Sequence, residues 1–440
     1  MPEIEVLPKI VLGESLNGRD FKAKDFIKSK ETREALAFLT SQFLSFAIYM
    51  SVIQLFPLYL QQRYEITEAE VLIKWGVIVT AYTFTGLFAR IPSGWFIEKV
   101  GRKVSVISSY FLMIISVGCL VLTNNTAILA LLFVFLRLTN NIFGLASRSL
   151  LADLKSSHKG MYNSLVSSFG RFGSLVGSIG LGFILEFLDA YFMILVAFII
   201  AIIGLISFRL LFVKGGAETI HFIRRVDVKS GKKEKFNFKI FKSGTLIFFI
   251  TAFILFGLIS GVTDPIISLY GKNVLNLSEG YIGTLLGLSQ LSFILVSPIV
   301  GWLISNKPKL IDYLLILSSI IIMGNYIMMF FFYDMVEVYI AALFIKNIAH
   351  VLFFPVVFTI LTYDLPKAHF SILYSIITTG FFLGTTGTSF LSTYLYGLSV
   401  RYPWLAAWIV AAVLVCLSIA YLIFKRLKSR KPSLNSPSTI

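Results

Sequence analysis

Charge is what this 440-residue sequence has least of: 14% of its residues are Asp, Glu, Lys or Arg, against roughly 25% in a soluble domain. So little charge cannot clothe a water-facing surface when 57% of the residues are hydrophobic and mean hydropathy is +0.83. Cysteine is nearly missing. Cys119 and Cys416 lie far apart in apolar runs, with neither metal-ligand spacing nor a disulfide signal. The histidines, His158, His221, His350 and His369, are scattered without ligand spacing. There is no Gly-rich phosphate loop and no ATPase motif. These absences exclude a nucleotide-driven pump, argue against an enzyme and leave no cofactor to expect. Met1 to Glu34 is too polar for a signal peptide, so no cleavage is expected.

Long apolar stretches are what the chain has instead. In lipid each must be helical, because an unsatisfied backbone group there costs several kcal/mol. The pattern predicts an all-α polytopic membrane protein with twelve transmembrane helices, near 36–61, 71–97, 102–123, 126–152, 160–185, 190–213, 244–271, 279–304, 311–332, 336–363, 368–396 and 401–424. These divide into an N-terminal tail (1–35), a six-helix bundle (36–213), a basic connector (214–243), a second six-helix bundle (244–424) and a C-terminal tail (425–440). Of the 39 Lys and Arg residues, only Arg63, Lys74, Lys272 and Arg401 fall on the side opposite the tails and connector. That asymmetry predicts cytoplasmic termini, and a plasma-membrane location is expected. The net charge of +16 is then mostly a topology signal. It points to anionic lipid headgroups and not to nucleic acid, for which no recognition motif is present.

The second half of the chain echoes the first at one distance. Gly94 and Trp95 recur as Gly301 and Trp302, and Gly173, Gly177 and Gly180 recur as Gly380, Gly384 and Gly387, each pair separated by 207 positions. Ile97 and Ile304 share the offset, while Pro57 and Pro265 miss it by one. Duplicated apolar halves of this length are the sequence form of a two-bundle transporter, with its site between the repeats near mid-membrane.

The loop after the second predicted span reads Gly94-Trp95-Phe96-Ile97-Glu98-Lys99-Val100-Gly101-Arg102-Lys103, preceded by Arg90, Ile91, Pro92 and Ser93. This resembles the signature loop of the major facilitator superfamily, with Glu98 where the family usually has aspartate. Position, spacing, span count and duplication agree, so the resemblance covers residues 36–424. It implies a secondary transporter that works by alternating access, and a gating cluster of Gly94, Glu98, Gly101, Arg102, Lys103 and Asp153 that latches the outward-open state. Gly94 would let two helices approach closely, and Gly101 would permit a tight turn. Glu98 suits a neighbouring helix N-terminus, and Asp153 is the candidate partner for Arg102. The matching loop of the second half, Gly301 to Lys307, lacks the acid. A topology anchor without a gating role is the alternative reading.

Charges deep in spans are the candidate site, since each costs about 2.5–3.5 kcal/mol on insertion scales. Arg137, Arg171 and Lys346 stand near the middle of the fourth, fifth and tenth spans, and Asp264, before Pro265, is the acid well inside the seventh. The resemblance matches Arg137 to a base that many members carry there, with Asn140 at the usual polar position and Asn141 where glycine is usual. Helical spacing groups Arg137, Asn141, Gly144 and Arg148, and likewise Ser167, Arg171, Ser174 and Ser178, while Lys346 and His350 share a face. Three cations and one acid favour a small organic or phosphorylated anion as substrate. Lipophilic cationic or neutral compounds exported as drugs are the alternative, sugars a third, and a non-transporting receptor or scaffold a fourth. Asp264 or His350 could carry a coupling proton. The fifth span has Ser178 after Gly177, and Leu181 before Gly182, so the glycine-proline pattern of the family's proton-exchanging exporters is incomplete. A functional monomer is expected.

Overall fold

The computed structural model describes residues 30–153, 159–211, 244–307, 310–364 and 370–430. The predicted connector, most of the two tails and Ser167 and Arg148 as side chains lie outside that description. The N-terminal half contains α1 (Lys30–Tyr64), α2 (Glu68–Val100), α3 (Arg102–Leu120), α4 (Thr126–Asp153), α5 (Lys159–Phe187) and α6 (Ala190–Leu211). The C-terminal half contains α7 (Gly244–Thr263), a 3₁₀ turn (Asp264–Ile266), α8 (Ile267–Asn273), α9 (Glu279–Asn306), α10 (Ile311–Phe331), α11 (Val336–Asp364), α12 (Phe370–Leu398) and α13 (Tyr402–Arg430).

Local chemistry sets the helix ends. Thr67 and Glu70 form a reciprocal capping box that starts α2. Asn125 accepts from the amides of Ala127 and Ile128 to start α4, and Ser278 caps α9. Between α2 and α3 the whole turn is Gly101, at φ +86°, which a side chain would strain. The seventh predicted span is not one helix. Proline at 265 has no amide hydrogen to give, and the chain passes through the 3₁₀ turn before resuming as α8.

Eleven segments among the described residues are long and apolar enough to cross a membrane, α7 to α8 counting as one. The remaining predicted span is α12, 29 residues long but rich in Thr, Ser and Gly. Several of its hydroxyls are bonded inside the protein. Thr388 and Ser389 donate to carbonyls one turn back, and Ser392 donates to the Val262 carbonyl of α7. Packed between α7 and α2, it has less need of an apolar surface than a lipid-facing helix.

The helix neighbours map onto themselves when the halves are exchanged. α1 packs on α5 and α6 as α7 packs on α12 and α13, and α2 on α4 as α9 on α11. The repeated glycines explain the closest of these contacts. A Cβ at Gly173 or Gly177 would strike the carbonyls of Phe43 and Ala47 on α1. One at Gly380 or Gly384 would crowd or strike those of Ile250 and Ile254 on α7. Phe43 to Ile250 and Ala47 to Ile254 are again 207 positions. The third glycine of each set, Gly180 and Gly387, meets nothing within 4 Å.

The halves meet along two seams, α5 against α9 and α2 against α12. Both seams are tightest toward the face opposite the one where α1 begins and α13 ends. On the first, Gly182 lies against Gly283, and Glu186 accepts from Ser278 Oγ at 2.9 Å and Gly280 N at 2.7 Å. On the second, Gly76 lies against Thr393, and Trp75 Nε1 donates to the Pro265 carbonyl at 2.7 Å. Toward the face of the chain ends, Gly94, Gly101 and Gly144 have no atom of the described residues within 4 Å of where a Cβ would stand, their own helices apart. Among the described residues, the closest contacts between the halves lie toward one face.

Candidate functional site

Arg137 lies on α4, eleven residues from its start or about 16 Å along the axis. Its Nη1 donates to Tyr49 Oη of α1 and, at 2.8 Å, to Tyr82 Oη of α2. The guanidinium lies between two rings, 4.7 Å from that of Tyr82 and 4.4 Å from that of Phe382 on α12. Gly86 makes the room, since a Cβ there would collide with the Arg137 side chain. Arg90 covers the Phe382 ring at 5.3 Å as well. Arg137 is therefore housed by hydroxyls and aromatic faces, the second of which comes from the other half of the molecule.

Arg171 is housed the same way on the other seam. It crosses from α5 to α9, where Nη1 donates to Gln290 Oε1 at 3.0 Å and the guanidinium lies 4.6 Å from the Phe293 ring. Among the described residues no carboxylate stands in salt-bridge range of Arg137 or Arg171. A buried cation without an acid holds its charge through hydrogen bonds and ring faces alone.

Lys346 is different. From α11 its ammonium reaches Asp264 of the 3₁₀ turn, forming an ion pair. The Lys346 side chain is 15% exposed and that of Asp264 51%, so the acid is the open member of the pair. Thr263 stands between Asp264 and Tyr326, 3.4 Å from Asp264 Oδ1 and 3.2 Å from Tyr326 Oη. Spacing along the sequence leaves Lys346 an uncommitted cation. The helix break at Pro265 turns Asp264 toward α11 and commits it. Arg171 interacts electrostatically with Asp264, Lys346 and His350, which gathers residues of α5, the 3₁₀ turn and α11 around one space.

Other predicted residues fall elsewhere. His350 sits in an aromatic nest, edge-on to Phe256 at 4.9 Å and Phe354 at 5.8 Å. Asn140 lines a small cavity with Ser45, Tyr49, Ser109 and Thr139 inside the N-terminal half, and Asn141 is buried beside Arg137. Ser174 and Ser178, expected on the stripe of Arg171, are fully buried; Ser178 lies 3.1 Å from Ser51 Oγ and donates to Gln54, both on α1. Ser178 joins helices within one half, while Ser174 Oγ has no hydrogen-bond partner among the described residues. The predicted latch falls on Glu98, Arg102 and Asp153, whose side chains are outside the described residues; Lys103 is half-buried. Sequence reasoning misses Glu186 as a bridge, and it misses the aromatic partners Tyr49, Tyr82, Phe293 and Phe382. A glutamate at one helix end and a Ser-x-Gly at another helix start is the one available signal.

Comparison with known proteins comes from three sides. The profile of the Major Facilitator Superfamily matches residues 38–386. A crystal structure of a POT family transporter in complex with 5-aminolevulinic acid superposes with a TM-score of 0.68 at 14% identity, covering 90% of this chain and 96% of that one. A crystal structure of peptide transporter POT in complex with sulfate gives 0.67 at 14% identity, covering 90% and 94%. No curated protein matches.

Proposed function

The chain belongs to the major facilitator superfamily, and from that premise we propose that this secondary transporter carries a small organic or phosphorylated anion. The family consists of transporters rather than enzymes, and the long apolar helices make this an integral multi-pass membrane protein. What supports the anion is a single observation: Arg137 and Arg171, at mid-depth in the two seams, have hydroxyl, amide and ring partners but no carboxylate in salt-bridge range among the described residues. A carboxylate or phosphate offers a guanidinium two acceptors in the plane of its donors, which neither a ring nor a lone amide oxygen does. Substrate binds between the halves, and the halves rock about it.

The Lys and Arg asymmetry supports cytoplasmic termini, so the face where both seams are tightest is the outer one and inward-facing is the proposed state. The plasma membrane is the proposed location and a monomer the proposed unit. Asp264, half-exposed beside Lys346, is the proposed carrier of a coupling proton, with His350 second. The second reading, export of lipophilic cations, draws on the rings around His350, among them Phe256 and Phe354. A thermal-shift screen of the purified protein against organic anions, lipophilic cations and neutral sugars separates the two. Stabilisation by an anion that disappears in Arg171→Gln and weakens in Lys346→Ala is the expected result. Stabilisation by lipophilic cations alone would overturn it and make Asp264 the residue to pursue.

A further inference from the structure

Behind the Lys346–Asp264 pair, away from the seam, the C-terminal half encloses a small cavity of about 10 Å³, which is room for one water molecule. Thr263, Asn325, Tyr326, Lys346 and Trp404 line it, with Ile267, Met329, Ala342 and Leu343 supplying apolar walls. Two polar atoms on that lining have no protein partner: Asn325 Oδ1, on a residue 2% exposed, and Trp404 Nε1, on a residue 1% exposed. A buried polar atom left unpaired costs about 1–3 kcal/mol, so the pair calls for a shared ligand.

We propose that this cavity binds one structural water that joins Trp404, Asn325, Tyr326 and Lys346. Donors and acceptors close around it. Thr263 donates to the Ile259 carbonyl, which leaves Tyr326 to donate to Thr263 Oγ1 and frees a Tyr326 lone pair. The water then accepts from Trp404 Nε1 and Lys346 Nζ and donates to Asn325 Oδ1 and Tyr326 Oη, its full complement of four. No other small ligand fits this set. A cation would face an ammonium and an indole N–H, and an anion would face an amide oxygen with nothing to donate.

The water completes a chain of polar contacts, running from Asp264 through Lys346, the water, Tyr326 and Thr263 to the Ile259 carbonyl. It anchors the ammonium to α10 and α13 as well as to the 3₁₀ turn. When Asp264 lets go, Lys346 keeps a hydrogen-bonded partner on its inner side. The site is independent of the substrate reading, because it lies wholly within one half and needs no solute.

The test is a structure of the full chain in lipid nanodiscs at a resolution that shows ordered solvent, beside a double-mutant cycle read by thermal melting. The expected result is one density peak within hydrogen-bond distance of all four atoms. Trp404→Phe and Asn325→Leu each lower the melting temperature, and the double variant lowers it by little more than the larger single change, since either one already releases the water. A direct indole-to-amide hydrogen bond in the density, or losses that add in full, would overturn the proposal. Because Trp404→Phe also removes packing, it is the additivity and not the single loss that decides.

Discussion

In the N-terminal half, Arg137 and Arg171 lie against aromatic rings with no carboxylate in range among the described residues. In the C-terminal half, Lys346 meets Asp264. Beneath this difference the scaffold is the same down to which carbonyl oxygen each glycine approaches. The glycine contacts persist because any side chain would strike backbone, which cannot move aside as a neighbouring side chain can. Positions facing the space between the halves carry no such penalty. There the repeat has diverged: the offset that takes Gly177 to Gly384 takes Arg171 to Thr378 and Gly86 to Phe293. Packing records the duplication, and charge records what came after it.

The sharpest way to break the comparison is to remove an acid-free cation. Arg137→Met should weaken binding of an anionic substrate about ten- to a hundredfold, the worth of a charged hydrogen bond, in a transport or binding assay. Equal transport by variant and parent would place Arg137 among structural residues. Next come the glycines. Gly177→Ala and Gly384→Ala should each destabilise the fold by about 1–3 kcal/mol, as overpacking does, and by similar amounts in thermal melting. A loss confined to one half would end the claim that the two contacts are equivalent. Glu186→Gln trades a charged acceptor for a neutral one at the N-terminus of α9. It should raise the labelling of cysteines placed at the closed face by up to about tenfold, as the weakening of a carboxylate held by a helix N-terminus implies. Unchanged labelling would reduce the bridge to a passive contact. The smallest effect is the control: Gly180→Ala and Gly387→Ala, with open space at both sites, should leave melting unchanged.

Much of the fold was legible because lipid leaves the backbone few choices. Apolar runs gave the spans, and the offset between Gly173 and Gly380 already implied that two helix pairs pack alike. The ion pair was not legible as such, because Lys346 and Asp264 are 82 positions apart and the break that turns one toward the other depends on a single proline. Spacing grouped Ser174 and Ser178 with Arg171, but a long arginine side chain reaches across the seam while a short serine hydroxyl stays with its nearest helix. Gly94 carried the right motif, but the side chains of Glu98, Arg102 and Asp153 that would complete it lie outside the described residues. Sequence spacing says which residues share a helix face; it does not say how far each side chain extends from it or in which state the faces meet.

One of the two rings over Arg137, that of Phe382, and the ring over Arg171 belong to the opposite half of the chain. A solute that draws a guanidinium off its ring therefore does work on the closed seam. Thermodynamic reciprocity fixes the return: whatever such a solute contributes to parting the halves, parting them contributes equally to its affinity. A solute that settles beside the rings and leaves them in place gains no such leverage, and the more tightly it holds to this state the less it moves.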